Sequence, residues 1–439
     1  MNDGELNIIN KLIDKYIRNS DFTKNSLILM IGTVISQFIS VAFSPIISRI
    51  YTPSDYGIIG IINSISGLLN SIFAFGFIPA IILSPTKKKR LNIVIFTTLI
   101  VFFNLIISFI LFIFISKPIS VLYNNKDLSF FLLFIPIGAF LFSLFSITTC
   151  YTNKNKEYKL LSISKITQAG TNSLSNMGLG LLKFKALGMI LGGYIGYLIS
   201  IFNLIPSLIK DIIKNIKYIN KKTMLEEAKK YRSVAFTGFF ADISIIATNI
   251  LFIYFISLFF DVRTIGFYTF AHRIMTMPIT IISATLQQTF YQKITEIFNT
   301  TGDIRPMTSK LISRMLLFSF PFFLLLFLFS PRIFSFVFGN NWYQVGIYSQ
   351  ALVLYVFSSF ISSPVSAIPY VVRKEKIYLV LAQISNILMI ASALFGGIVK
   401  KDFLWTCYFL STLNALFTLF IIIWIYKISK IKGKNYSTQ

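Results

Sequence analysis

Long stretches of this chain run without a charged side chain, among them 25–48, 56–86, 91–116, 128–153, 166–182, 186–209, 315–331, 377–399 and 403–426, each of 17 residues or more. At 1.5 Å per residue each can cross a hydrocarbon layer, which takes roughly 17–25 residues. A longer run from Ile333 to Val372 is broken by "FGNNWYQVG" (338–346), so its second part is expected to span. Two further expected spans, 233–260 and 264–292, contain ionisable groups. With 55% hydrophobic and 13% charged residues, and a mean hydropathy of +0.73, the chain is too apolar to solvate a globular surface. The expected fold is an all-α integral membrane protein with twelve transmembrane helices, numbered here as spans 1 to 12.

A net charge of +25 brings nucleic acid to mind, and the placement of the charges removes it. With the N-terminus inside, the inner segments hold 31 Lys and Arg, the outer turns 9, and Arg273 lies within a span. The positive-inside rule then puts both termini in the cytoplasm and makes the basic balance topogenic. No nucleic-acid partner is expected. Residues 1–23 place Ile9, Leu12, Ile13, Tyr16 and Ile17 at helical spacing among charges, which fits a helix lying on the membrane and not a cleaved leader.

Enzyme chemistry has little to stand on. The two cysteines, Cys150 and Cys407, read as small packing residues, and one histidine without a Cys-x-x-Cys pair leaves no metal site. "GLGLLK" (178–183) has two of three dinucleotide-loop glycines but lies in a span, and no phosphate-binding lysine loop occurs. No cofactor is expected.

The inner segment Lys210 to Arg232 divides the chain, and local patterns recur across it. "YTPSDYGIIG" (51–60) faces "DVRTIGFYTF" (261–270), "ISKPISVLYNN" (115–125) faces "FSPRIFSFVFGNN" (329–341), and "YTNKNKEYKLLSISK" (151–165) faces "YVVRKEKIYLVLAQIS" (370–385). Matching Gly57 to Gly266, Ile119 to Ile333 and Tyr158 to Tyr378 gives offsets of 209, 214 and 220. Two homologous six-helix lobes, 24–209 and 233–426, are expected around a central cavity. A basic linker (210–232) joins them, and 427–439 forms a cytoplasmic tail.

Within "SRIYTPSDYG" (48–57), Thr52 is suited to cap a helix, Pro53 to open it and Asp55 to return a capping bond. Arg49 is left at the outer end of span 1. Prolines 45, 79, 136, 206, 278, 321, 364 and 369 fall within spans, where kinks are expected.

Polar side chains inside the spans line up on helical faces. Span 8 carries Arg273, Thr276, Thr280, Ser283 and Gln287; span 1 carries Gln37, Ser40 and Ser44; span 2 carries Asn63, Ser66 and Asn70; span 5 carries Lys165, Gln168, Asn172 and Ser175. Such stripes either bridge packed helices or face a wet cavity. Arg273 fits a structural ion pair with Asp242 on span 7, or an anion site, since a guanidinium grips phosphate oxygens in a planar fork. His272 points about 100° away around the same helix and fits either a core or a proton-coupling role.

At "ISRIYTPSDYGIIGI", "YTFAHRIMTMPITIISATLQQTFYQKITEIF" and "FGNNWYQVGIYSQALVLYVFSSFISSPVSAIPYVVRKEKIYLV" the chain resembles the Wzx-type polysaccharide flippases of the multidrug/oligosaccharidyl-lipid/polysaccharide exporter superfamily. The resemblance covers essentially the whole chain. It implies twelve helices in two lobes, a place in the bacterial inner membrane, and passage of undecaprenyl-pyrophosphate-linked O-antigen, or similar repeat units, to the outer face. Family members receive the pyrophosphate on cavity-lining cations. Arg273, in an "A-x-R-x-x-x-x-P" setting, matches best. Arg49 matches the span 1–2 junction, and Lys165 has the polarity and face but no family motif.

The leading expectation is therefore flipping of a lipid-linked oligosaccharide by alternating access, with the lipid bilayer, a polysaccharide polymerase and a chain-length regulator as partners. A multidrug cation exporter of the same superfamily is the alternative, although its cavity would favour acids. An O-antigen polymerase ranks last, because the outer turns are short and hold only Asp55, Asp127, Asp261 and Asp402.

Overall fold

The computed structural model describes residues 21–430, without the side chains of 21–26, 237, 238, 240–242, 278, 280–289, 291, 292 and 299–301. Most of the expected amphipathic segment 1–23 and of the tail 427–439 lies outside the described residues. Among these the chain is helical, with no strand. The long helices are α1 (Asp21–Ile50), α2 (Pro53–Phe73), α3 (Lys87–Leu122), α4 (Ile135–Lys154), α5 (Tyr158–Leu181), α6 (Ala186–Asn215), α7 (Lys221–Phe259), α8 (Val262–Thr301), α9 (Arg305–Phe338), α10 (Tyr343–Val365), α11 (Glu375–Leu394) and α12 (Phe403–Ile428).

Among the described residues nine helices are long and apolar enough to cross a membrane; α5, α7 and α8, which carry much of the intramembrane polarity, are not among them. Phe38, Phe114, Phe318 and Phe336 are 71–85% exposed. Water would penalise such a surface, whereas lipid satisfies it. The protein is a multi-pass membrane protein.

Helix ends follow local chemistry. At the α1–α2 turn the Thr52 amide (2.9 Å) and hydroxyl (2.7 Å) both donate to Asp55 Oδ2, and the Asp55 amide donates back to Thr52 Oγ1 at 3.3 Å. This is the reciprocal cap expected from the sequence, opened by Pro53. Burial, reinforced by the Asp55 carboxylate, pushes the adjacent Tyr51 hydroxyl up to about 12. Asp261 caps α8 by accepting from the Thr264 amide at 2.8 Å.

The prolines divide differently than expected. Pro45, Pro206, Pro321 and Pro364 lie inside helices, but Pro79, Pro136 and Pro369 occupy first-turn positions of the short helix Ile78–Leu83, of α4 and of the short helix Ile368–Val371. They start helices there, since the missing N–H costs nothing in a first turn. The segment 210–232 is also mostly ordered: its ends extend α6 and α7, joined by a 3₁₀ turn at Ile216–Tyr218.

The described chain divides into two compact units, one containing the part up to Ile50, Ser66–Ser116 and Phe130–Ile243, the other Tyr51–Ile65, Lys117–Ser129 and the part from Ser244 onward. In the first, α5 packs against both α1 and α6. Small residues permit this: a methyl on Gly32 would overlap Ser162, and one on Gly192 would overlap Asn176. At the basic end of this unit, the four residues Lys87 to Arg90 each take a different partner. Lys87 pairs with Asp211 at 2.6 Å, Lys88 lies over the Tyr218 ring, Lys89 pairs with Glu227 at 3.2 Å, and Arg90 donates to Asn155 Oδ1 at 2.9 Å. Fully buried Asn92 adds donated bonds to the Lys88 and Tyr218 carbonyls and accepts from the Asn220 amide at 3.1 Å.

In the second unit, α10 packs against α8, α9 and α12. An aromatic cluster of Tyr56, Phe270, Phe338 and Trp342 adjoins the crossing of α2 and α8. At that crossing a methyl on Gly57 would overlap the carbonyl of Val262, and one on Gly266 would overlap the carbonyl of Pro53. Each glycine thus meets the carbonyl four residues before the other, and Gly60 meets Thr269. Gly60 and Thr269 stand 209 residues apart, as do Gly57 and Gly266 themselves, which is the offset read from the sequence, and the two carbonyl approaches lie four residues to either side of it.

Candidate functional site

The first unit carries a polar face on α5. Lys165, Gln168, Asn172 and Ser175 are all half-buried along it. The Lys165 amine donates to Thr33 Oγ1 of α1 at 3.0 Å, and Thr33 in turn donates to the Leu29 carbonyl at 2.9 Å. Among the described residues no carboxylate lies within ion-pair distance of Lys165. A cation on a spanning helix costs about 3 kcal/mol to insert. One hydroxyl leaves two of its three donors for another acceptor.

Deeper along the face the polar groups turn to packing. Asn172 Oδ1 accepts from Asn176 Nδ2 at 2.8 Å, and Gly196 of α6 presses against Asn172 and the Gln168 carbonyl. Gln37 of α1 is half-buried, as is Asn70 of α2, whose Oδ1 is shielded without a hydrogen-bond partner among the described residues. Arg49 ends α1 on the exposed side, where a cation complements the helix dipole. The Asp242 side chain lies outside the described residues.

In the second unit Arg273 lies in the first third of α8 and is exposed, with no ion pair to a described residue. Thr276 donates to the His272 carbonyl at 2.7 Å, so its hydroxyl is satisfied within the helix. His272 is half-buried with its ring 5.7 Å from that of Tyr268. Asn63 of α2 is exposed, and the side chains of Thr280 and Gln287 lie outside the described residues. Within each unit, then, one long helix, α5 or α8, presents a cation without a carboxylate partner among the described residues.

The sequence reading missed the anchoring of Lys87 to Arg90. The signal was available: Asp211 and Glu227 are acids in a strongly basic segment, and each is held by a lysine of that run. No group of metal-ligating side chains occurs among the described residues.

Comparison with solved structures shows that the fold is one shared with membrane transporters. The chain superposes on an inward-facing multidrug resistance MATE family transporter of the MOP superfamily with a TM-score of 0.70 at 12% identity, covering 90% of this chain and 96% of that one. It also superposes on the lipid II flippase MurJ, in an inward closed conformation, with a TM-score of 0.69 at 18% identity, covering 92% and 90%. A third match, TM-score 0.56 at 13% identity over 93% and 95%, is a MOP superfamily transporter from Pyrococcus furiosus described as having a binding pocket of reverse polarity. No curated protein sequence matches. The sequence matches the family described as "Polysaccharide biosynthesis protein" over residues 46–346, and the chain belongs to that family.

Proposed function

We propose that this protein flips polyprenyl-pyrophosphate-linked saccharide repeat units, O-antigen or a similar surface polysaccharide, from the cytoplasmic to the outer face of a bacterial inner membrane. The observation that carries the reading is Lys165, a half-buried amine on α5, a helix packed between α1 and α6, that shares one hydroxyl and has no carboxylate partner among the described residues. Such a group suits a mobile anion, and a pyrophosphate headgroup supplies one in membranes that build polysaccharide. Membership of a polysaccharide biosynthesis family, and a fold shared with a lipid II flippase, support this chemistry over a soluble substrate.

In this reading Arg273 is the second phosphate ligand, with Arg49 near one end of the path. Gln37, Asn63, Asn70, Gln168, Asn172, Thr276, Thr280 and Gln287 contribute hydrogen bonds to sugar or to helix packing, and Asp242 and His272 serve as counter-ion or coupling groups. The two lobes, 24–209 and 233–426, rock about the substrate with both termini cytoplasmic, and no covalent bond of the substrate changes. A polymerase and its chain-length regulator act on the delivered units.

The test is deletion of the gene followed by extraction of lipid-linked saccharides. Single repeat units retained on the cytoplasmic face support flipping, and Lys165→Ala or Arg273→Ala should reproduce the block. Single units that reach the outer face unpolymerised would indicate a polymerase instead, and an unchanged glycan profile would favour a drug exporter.

A further inference from the structure

The C-terminal part of α6 has two contrasting faces. Ile201, Leu204 and Leu208 are buried, and Asp211 on that side is fastened by Lys87 at 2.6 Å and by the Tyr151 hydroxyl at 2.5 Å. The opposite face is exposed and alternates apolar and basic residues: Pro206, Ile209, Lys210, Ile213 and Lys214. These five line an open groove of about 550 Å³. With 100° per residue they share one arc of the helix, so a lipid chain can lie along Pro206, Ile209 and Ile213 while the two amines, four residues apart, close on its headgroup.

We infer that this groove is a binding site for a phospholipid with a net anionic headgroup, whose phosphate is held between Lys210 and Lys214. Three features of the molecule argue for that occupant. The groove is apolar toward the spanning part of α6 and cationic toward its polar end, which matches the polarity of a lipid. The only carboxylate in this stretch, Asp211, points inward and is already neutralised, so it does not oppose an anion. Neither lysine forms an ion pair with a described residue. The site is separate from Lys165 and Arg273 and requires only that the protein span a membrane.

The full chain would be purified into nanodiscs of phosphatidylcholine containing phosphatidylglycerol as a minor component, then released for native mass spectrometry at several salt concentrations. Phosphatidylglycerol should be retained in preference to phosphatidylcholine. At about fivefold per lysine at a membrane surface, Lys210→Gln/Lys214→Gln should lower that preference on the order of 30-fold at low salt. Lys210→Arg/Lys214→Arg should retain it, and so should Lys221→Gln/Lys222→Gln, which removes the same charge elsewhere in the basic segment. An equal loss in the Lys221/Lys222 variant would overturn the site in favour of diffuse attraction. Equal retention of the two lipids by the wild-type protein would overturn it whether or not any variant folds.

Discussion

Alanine at Gly57 or Gly266 is the sharpest probe of how α2 and α8 cross. The new methyl would lie far inside 3.0 Å of a backbone carbonyl, that of Val262 or of Pro53. Carbon and oxygen pack comfortably near 3.5 Å, so the helices must separate by more than about 1 Å, and backbone cannot rotate aside as a side chain can. Overpacking of this kind costs about 1–3 kcal/mol, set against roughly 1 kcal/mol gained from the better helix propensity of alanine. Gly170, Gly178 and Gly193 provide the control, because a methyl there meets nothing within 4 Å and only the propensity gain applies. Thermal unfolding of detergent-solubilised protein should give lower midpoints for Gly57→Ala and Gly266→Ala, and unchanged or higher ones for the controls. Both methyls act on one crossing, so the double variant should lose less than the sum of the single losses. A Gly57→Ala protein melting with Gly170→Ala would show that the two helices do not cross this closely.

Asn92→Ala removes two bonds to the 218–220 segment from a fully buried side chain, and should cost about 1–3 kcal/mol, read as a lower melting midpoint and faster proteolysis between α6 and α7. Asp55→Ala breaks the reciprocal cap at Thr52 and should cost about 1 kcal/mol by the same melting assay, whereas Asp55→Glu should lose less. Asp303 is held below the usual carboxylate range by hydrogen bonds from the Arg305 side chain and backbone amide. Its contribution is present above the ordinary carboxylate pKa and lost as pH falls through the lowered value. Carboxyl-carbon NMR should place its midpoint below that of free aspartate, and in Arg305→Gln the midpoint should return upward.

Much of the architecture was legible because lipid enforces it. Charge-free runs located the apolar spans, and Thr52, Pro53 and Asp55 located the start of α2 to the residue. The 209-residue offset reappears as physical contact between Gly57 and Gly266. Pro79, Pro136 and Pro369 misled because composition cannot distinguish a proline within a helix from one that begins it. Segment 210–232 read as a linker because its many lysines hide a buried stripe: Ala228 and Tyr231 are both buried, and Glu227 is held by Lys89. The surroundings of the candidate site residues were not legible in the sequence. Helical spacing singled out Lys165 and Arg273 as candidate anion ligands, yet it could not tell that Thr276 donates to a carbonyl of its own helix, or that Asn172 is partly occupied by Asn176 and crowded by Gly196.

Reconstituted transport tests the central claim most directly. Proteoliposomes would carry a polyprenyl-pyrophosphate-linked repeat unit, and its arrival in the opposite leaflet would be read by an impermeant saccharide-cleaving enzyme. The account predicts transfer by the wild-type chain, and a loss of at least tenfold in Lys165→Ala and Arg273→Ala proteins that fold normally. Transfer unchanged in both variants, or none by wild-type protein shown to be folded, would contradict it.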